Sequence, residues 1–365
     1  LLVLGLFGQQ LTAVVGDGGG GFGGCGFPAI YNFGDSNSDT GGISAAISEI
    51  TPPNGVTFFG NFSGRACDGR LIIDFIAENL KLPYLSAYLD SIGSSFRHGA
   101  NFATGGSSIR PGGYSPFHLG VQVNQFLQFK ARTTALYNQL SPYGLPRPQD
   151  FSKALYTIDI GQNDLSYGFQ HTTEKQVQAS IPDILGQFSQ AVNSLYKEGA
   201  RYFWVHNTGP LGCLPYNVRY YKSNPGNLDR NGCAKPQNEM AWEFNRQLKE
   251  KVSHLRAQLP DATLTYVDVY SSKLALISDA KNQGFVDPFN FCCGNYGYHI
   301  NCGKQATVNG TVYGNSCGHP WRHISWDGIH YSQAANRWIA TQILNGSLSD
   351  PPVPVYEACD HTKNK

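Results

Sequence analysis

The chain has 365 residues and a net charge of +1, with 27 Lys and Arg against 26 Asp and Glu. This balance gives no electrostatic reason to expect a nucleic acid or an anionic membrane surface as a partner. Only 15% of the residues are charged, whereas Gly and Tyr are abundant, and such a composition suits contact with neutral, hydroxyl-rich ligands. The length allows one large α/β domain or two smaller ones. Without an internal repeat or a linker after residue 26, we expect one domain over 27–350 and a C-terminal tail over 351–365.

The first 26 residues are interpreted as a signal-peptide remnant followed by a linker. Residues 1–15 are largely apolar, as in the hydrophobic region of a signal peptide, but are too few to span a membrane. No later run approaches about twenty apolar residues, so no membrane span is predicted. The glycine-rich stretch 18–26 contains matches to G-x-G-x-x-G, but it precedes the first predicted strand, which favours a flexible linker over a nucleotide site. We expect a secreted protein, located extracellularly, in the cell wall or in the vacuole.

Apolar runs and helical patterns alternate after residue 26. Strands are predicted at 29–33, 154–160, 201–206 and 263–269, and helices at 71–80, 175–198, 237–258 and 333–344. This alternation indicates βαβ units and a parallel sheet covered on both faces, which is a three-layer α/β/α fold. Long loops at 52–70, 106–118 and 287–320 are expected to wall a substrate site.

A candidate nucleophile, Ser36, follows the first predicted strand in Gly34-Asp35-Ser36. Open α/β sheets bind their ligands at the carboxyl ends of their strands, where this serine would lie. Taken alone, Gly-Asp-Ser is more often ordinary turn chemistry. Nearly three hundred residues later, Asp327 and His330 stand three apart before the last predicted helix. A serine needs a base, usually histidine, and the base needs a carboxylate to orient it. Alternatively, Asp327 only caps the turn and His330 is a surface histidine.

Two further segments could stabilise the negative charge that develops in acyl transfer. Asn163 follows the predicted strand 154–160, and its side-chain amide could meet an oxyanion there. The segment 99–107 contains Gly105 and Gly106, whose backbone N–H groups no side chain would block. Each segment is plausible as an ordinary loop. The occurrence of Ser36, the 99–107 segment, Asn163 and the Asp327–His330 pair in this order is, however, hard to explain as coincidence.

At these residues the sequence resembles the plant GDSL esterase/lipases of the SGNH hydrolase superfamily. The similarity covers about residues 27–344 and is greatest to the early-nodulin-like and acetylesterase-like branch. The segment 207–215 also resembles a hallmark of the plant family. The residues similar to its blocks are Gly34-Asp35-Ser36 with Asp39 and Gly41, then Gly105, then Gly161-x-Asn163-Asp164, and Asp327-x-x-His330.

The resemblance implies a flavodoxin-like sheet of about five parallel strands and a serine esterase without cofactor or metal. Ser36 is then the nucleophile, His330 the base and Asp327 its partner. The oxyanion hole would consist of the N–H groups of Ser36 and Gly105 and the Asn163 amide, with Gly106 as the alternative to Gly105. We expect a monomer that hydrolyses acetyl or other short esters of a carbohydrate or a specialised plant metabolite through an acyl-enzyme. An acyltransferase with the same triad and a catalytically silent binding or defence protein remain as alternatives.

A competing nucleophile motif lies near the end of the chain. Gly314-Asn-Ser316-Cys-Gly318 matches the G-x-S-x-G elbow of α/β-hydrolases, which requires a preceding strand and a following helix. Here the flanks are rich in Cys and Gly and lead into Pro320, which indicates a disulfide-braced loop instead. Neither a P-loop nor an H-E-x-x-H motif occurs.

The chain has nine cysteines, which are expected to form disulfide bonds if the chain is secreted into an oxidising compartment. Four of them crowd into 292–317 near two histidines, but their spacing fits no common structural zinc pattern. Cys213 and Cys233 are predicted to form one bridge, the odd count leaves at least one thiol unpaired, and Cys359 is also expected to be oxidised. The other disulfide candidates are Cys292, Cys293, Cys302 and Cys317. The sequons at Asn61, Asn309 and Asn345 are candidates for glycosylation.

Overall fold

The computed structural model describes residues 24–137, 139, 144–221 and 225–359. The predicted signal-peptide remnant and most of the glycine-rich linker lie outside the described residues. The described residues contain the strands β1 Ile30–Gly34, β2 Gly99–Asn101, β3 Leu155–Asp159, β4 Tyr202–His206, β5 Thr263–Val267, β6 Ala306–Val308, β7 Thr311–Tyr313 and β8 Ser349–Asp350. The helices are α1 Gly42–Ala46, α2 Val56–Phe59, α3 Ile72–Asn79, α4 Leu119–Tyr137, α5 Gln162–His171, α6 Glu174–Lys197, α7 Pro215–Tyr221, α8 Lys235–Gln258, α9 Val269–Ser278 and α10 Gln333–Leu344.

The central sheet has six strands in the order β2-β1-β3-β4-β5-β8. The first five are parallel, which confirms the predicted sheet, and β8 is added antiparallel to β5 at the edge. The predicted strand 263–269 was two residues too long at its end because Asp268 caps α9, accepting the Ser271 N–H. The sequence predicts neither β2 nor β8, because these strands have only three and two residues, respectively, which are too few to show a periodicity.

Helices cover both faces of the sheet, as the sequence predicts. One layer contains α4, α6 and α8, and the other contains α3, α9 and α10. Strand β1 is buried along its whole length, and on one side the Tyr31 ring stacks on Phe151 and meets Phe126 of α4 edge-on. Aromatic pairs of this kind add about 0.5–1.5 kcal/mol beyond the burial of their area. Among the described residues, no helix is long and apolar enough to cross a bilayer.

Four disulfide bonds hold the loops and the ends of the described chain. All six candidate cysteines are bonded, as Cys213–Cys233, Cys292–Cys317 and Cys293–Cys302. The fourth bond, Cys25–Cys359, anchors the first part of the predicted C-terminal tail, where Val355 and Ala358 are also buried. Cys292, Cys317 and His323 approach one another, but the two sulfurs are bonded to each other and so are not metal ligands.

A thiol titration checks this connectivity. Denatured, unreduced protein should give one thiol, from buried Cys67, and nine after reduction. Reduction should lower the melting temperature, because each closed loop of 20 or 25 residues contributes about 3 kcal/mol in the chain-entropy model. In a Cys67→Ser variant the unreduced count should fall to zero. Three or more thiols in the unreduced wild-type chain would contradict the four bonds.

Candidate active site

The first strand delivers Ser36 to the carboxyl edge of the sheet. Gly34, the last residue of β1, lies opposite Asp159 of β3. A Cβ at Gly34 would stand 2.4 Å from Ser38 Oγ and 2.6 Å from the Asp159 carbonyl oxygen, so only glycine lets the turn close against β3. Since neighbouring parallel strands end at the same edge, Ser36 lies near the ends of β2 and β3, the strands that flank β1, which is the usual position of ligand sites in such sheets.

The structure brings Ser36, His330 and Asp327 into one hydrogen-bonded chain. His330 Nε2 lies 2.8 Å from Ser36 Oγ, and His330 Nδ1 lies 2.7 Å from Asp327 Oδ2. The other carboxylate oxygen of Asp327 accepts the backbone N–H groups of Ile329 and His330 at 2.9 and 2.8 Å. A single short turn therefore fixes the carboxylate and the imidazole relative to each other.

Opposing effects set the protonation of this pair. Burial alone would lower the pKa of His330, but the charge and hydrogen bond of Asp327 outweigh it, so the pKa is raised above the ordinary histidine value. Burial likewise disfavours the Asp327 anion, but His330 and two backbone N–H groups hold the pKa of Asp327 below its usual value. Asp327 is therefore ionised at neutral pH, and His330 is well suited to take a proton from Ser36.

The backbone donor chosen from the sequence requires a correction. The Gly105 N–H donates to Asp39 Oδ2 at 2.8 Å and is not available to an oxyanion. Gly106 follows with φ +76° and lines the same cavity as Ser36. Within the described part of the chain, the Gly106 N–H meets no acceptor. Gly106 is therefore a better candidate than Gly105 for a backbone donor to an oxyanion.

Asn163 lies in the first turn of α5, whereas the sequence predicted a position directly after a strand. Its Nδ2 donates to the Ser107 carbonyl at 2.9 Å, which fixes the amide and leaves its second hydrogen for another acceptor. The next residue, Asp164, accepts the backbone N–H groups of Ile109 and Arg110 at 2.7 and 3.0 Å. The start of α5 is thus tied to the loop that follows Gly106.

Asp39 connects the nucleophile turn to this glycine loop. Its carboxylate accepts the N–H groups of Gly41, Gly42 and Ile43 at 2.8, 2.5 and 2.9 Å, besides that of Gly105. The side chain is 1% exposed. The resemblance placed Asp39 in the first block, and nothing in the sequence alone indicated this role.

Ser36 and His330 open into a cavity of about 980 Å³. All three loops predicted to wall the site contribute to it: 52–70 through Asn54, 106–118 through Tyr114, and 287–320 through Tyr296. The cavity combines apolar side chains with many hydroxyl and amide groups. These lining residues include Ile43, Phe169, Leu214, Tyr216, Asn217 and Gln237.

The remaining candidates lie away from the cavity. Ser316 is exposed in the loop after β7, where its Oγ donates to the Cys317 carbonyl at 3.0 Å, and no helix follows it as an elbow requires. The three sequon asparagines, Asn61, Asn309 and Asn345, are exposed and therefore open to modification.

Comparison with known proteins gives a family and close relatives. The family model described as GDSL-like Lipase/Acylhydrolase matches residues 30–343. A GDSL esterase/lipase of Arabidopsis thaliana is 58% identical over 345 residues, which cover 93% of this chain and 92% of the relative. The GDSL esterase/lipase ENOD8 of Medicago truncatula is 45% identical and covers 92% of this chain and 90% of that protein. Another Arabidopsis thaliana relative, named Alpha-L-fucosidase 3, is 50% identical and covers 88% of this chain and 91% of its own length.

Removal of the Asp39 carboxylate should destabilise the fold. Asp39→Ala leaves four N–H groups, two buried and two part-buried, without their acceptor, so the free energy of unfolding should fall by about 3 kcal/mol in a denaturant titration. Asp39→Asn is the matched control, because one acceptor oxygen remains and the loss should be smaller. An unchanged denaturation midpoint in Asp39→Ala would contradict this role.

Proposed function

The chain belongs to the GDSL-like lipase/acylhydrolase family and is a carboxylic ester hydrolase, and from this premise we propose that it is a secreted serine esterase that works through an acyl-enzyme. Its substrates are acetyl or similarly short esters of a carbohydrate or a specialised plant metabolite. The observation that carries this proposal is the hydrogen-bonded chain Ser36–His330–Asp327, which faces the cavity.

In the first half of the proposed reaction, Ser36 Oγ forms a bond to the ester carbonyl carbon while its proton passes to His330 Nε2. Asp327 stabilises the resulting imidazolium. The carbonyl oxygen becomes an oxyanion and accepts hydrogen bonds from the Asn163 amide and the N–H groups of Ser36 and Gly106. The tetrahedral intermediate then collapses, the ester C–O bond breaks, and His330 returns the proton to the departing alcohol.

In the second half, water takes the place of the alcohol. His330 accepts a proton from the water as its oxygen attacks the acyl carbon, and the proton then returns to Ser36 Oγ as the acid departs. An acyltransferase would use the same acyl-enzyme with an acceptor alcohol in place of water. A cavity of about 980 Å³ far exceeds an acetyl group, so most of it is available to the alcohol part. Its hydroxyl and amide lining supports a hydroxyl-rich alcohol.

Three observations support secretion. Eight of the nine cysteines are in disulfide bonds, which persist in oxidising compartments. The candidate glycosylation sites are exposed. The apolar run of residues 1–15 resembles the hydrophobic region of a signal peptide.

Substitution of the nucleophile tests this function. Ser36→Ala should lower kcat/KM on an aryl acetate by at least about 10⁴-fold, because no other group can form the acyl-enzyme. Its melting temperature should change little, and Ser316→Ala, the other serine motif, should retain full activity. Ser36-independent hydrolysis would overturn the proposal.

Two additions to the same assay separate the alternatives. An acceptor alcohol distinguishes acyl transfer from hydrolysis, since transfer forms a new ester at the expense of free acid. An aryl α-L-fucoside tests the activity named for one relative. Glycosidases generally use two carboxyl groups that flank the glycosidic bond, whereas the His330 imidazole stands against the nucleophile here. We therefore expect ester cleavage and no fucoside cleavage.

Loss of the amide donor should affect turnover more than binding. Asn163→Ala should lower kcat by roughly 10²–10³, the scale for one preorganised oxyanion donor. KM should change less, because the oxyanion develops in the transition state and the tetrahedral intermediate and is absent from the bound substrate. Steady-state kinetics on the aryl acetate give both constants. A large rise in KM with unchanged kcat would instead make Asn163 a substrate-binding residue.

A further inference from the structure

Gln237 is a buried polar residue in the wall of the active-site cavity, and the proposed reaction does not use it. It lies in the first turn of α8 and is 6% exposed. Its Oε1 is buried and meets no hydrogen-bond donor among the described residues. Buried polar atoms are nearly always hydrogen-bonded, so an exception requires an explanation. Of the described residues with an unpaired buried side-chain atom, Gln237 is the one that lines the cavity.

The first turn of α8 is tied to the segment after β4. The Ala234 N–H donates to the Gly212 carbonyl at 2.7 Å, and the Gly212 N–H donates to Asn238 Oδ1 at 2.8 Å. A Cβ at Gly212 would overlap the Ala234 carbonyl oxygen, so only glycine allows this approach. The disulfide bond Cys213–Cys233 closes the same junction. The glutamine therefore extends from a backbone that hydrogen bonds and a covalent bond hold in place.

Helices α5 and α7 give this side of the cavity an uncharged wall with aromatic rings. Helix α5 packs against α8, and α7 follows the segment to which α8 is tied. The lining residues that they contribute are neutral: Asn163, Ser166, Phe169, Gln170, Tyr216 and Asn217. The Tyr216 ring meets Tyr296 edge-on at a centroid separation of 5.1 Å. Such a wall suits a neutral cyclic ligand with hydroxyl groups, because amides exchange hydrogen bonds with hydroxyls while aromatic rings cover C–H groups.

We propose that Gln237 is a specificity-determining residue whose Oε1 accepts a hydrogen bond from a hydroxyl group of the substrate, which favours esters of carbohydrates over esters of simple alcohols. The inference rests on the proposed esterase function. An unpaired acceptor requires a donor, and an acetyl group has none, so the hydroxyl group belongs to the alcohol part. An ester without this hydroxyl group leaves the buried Oε1 unpaired, and sites of this kind discriminate against such analogues.

The test compares two acetates that share the acyl group and a six-membered ring. One is a monoacetylated methyl pyranoside, and the other is cyclohexyl acetate, which has no hydroxyl group. Titration of the released acid at constant pH gives kcat and KM for each substrate, and the wild type should prefer the pyranoside. Because the acyl group is the same, the ratio of the two kcat/KM values reports on the alcohol part alone.

Gln237→Met keeps the length of the side chain but removes its amide. In this variant kcat/KM for the pyranoside should fall at least about tenfold. The loss should appear mainly in KM, because the hydrogen bond forms in the bound substrate as well as in the transition state. The value for cyclohexyl acetate should not fall. Gln258→Met is the matched control and should leave both values unchanged, because Gln258 is an exposed glutamine at the far end of the same helix.

A wild type without preference for the pyranoside overturns the proposal, as does a folded Gln237→Met that loses activity equally on both acetates or on neither. Thermal unfolding identifies the folded variants. If Gln237→Met does not fold, Gln237→Asn decides, because it retracts the amide by one methylene group: a weaker preference for the pyranoside supports the proposal, and an unchanged one overturns it. These failures differ from failure of the esterase proposal, which would appear as acetate hydrolysis that survives Ser36→Ala.

Discussion

The geometry of the site depends on one buried carboxylate. The turn after Ser36 and the loop after β2 meet without a strand ladder, yet their buried N–H groups need acceptors. The Asp39 carboxylate is the acceptor for four of these groups: three N–H groups of its own turn and that of Gly105 donate to it. This contact holds the turn after Ser36 against the glycine loop. It also occupies the Gly105 N–H, whereas Gly106, which lines the cavity, is not bound by Asp39.

The same edge of the sheet concentrates buried charge. Because β1, β3 and β4 end together, Asp35, Asp159 and His206 converge in a place that helices shield from water. Such groups cost free energy unless they are paired and hydrogen-bonded. Asp159 is paired with His206, and α9 contributes the buried Lys273, whose Nζ lies 4.5 Å from the centroid of the Tyr331 ring.

The Asp327–His330 pair is held by different means from Ser36. Ser36 follows a strand, whereas Asp327 and His330 lie on a turn that depends on the disulfide-bonded loop. The Tyr296 hydroxyl donates to the Asp327 carbonyl at 2.6 Å, and the N–H groups of Cys292 and Cys293 both donate to the Trp326 carbonyl at 2.8 Å. The Trp326 indole N–H in turn reaches Asn54 Oδ1 at 2.8 Å. In a segment with little regular secondary structure, covalent bonds and one buried tryptophan replace a strand as the support.

The sequence by itself determined the α/β/α class and the elements with the clearest patterns. Fully buried parallel strands appear as continuous apolar runs, and α6, α8 and α10 show their periodicity over many residues, whereas the 19-residue helix α4 was not predicted. Motif resemblance further singled out Ser36, Asp327, His330 and Asn163. Only the tertiary structure decided which glycine N–H is free, that Cys25 pairs with Cys359, and that Lys273 is buried against Tyr331. Each of these depends on which distant segments meet, and a periodicity states which face of a segment is buried but not what it is buried against.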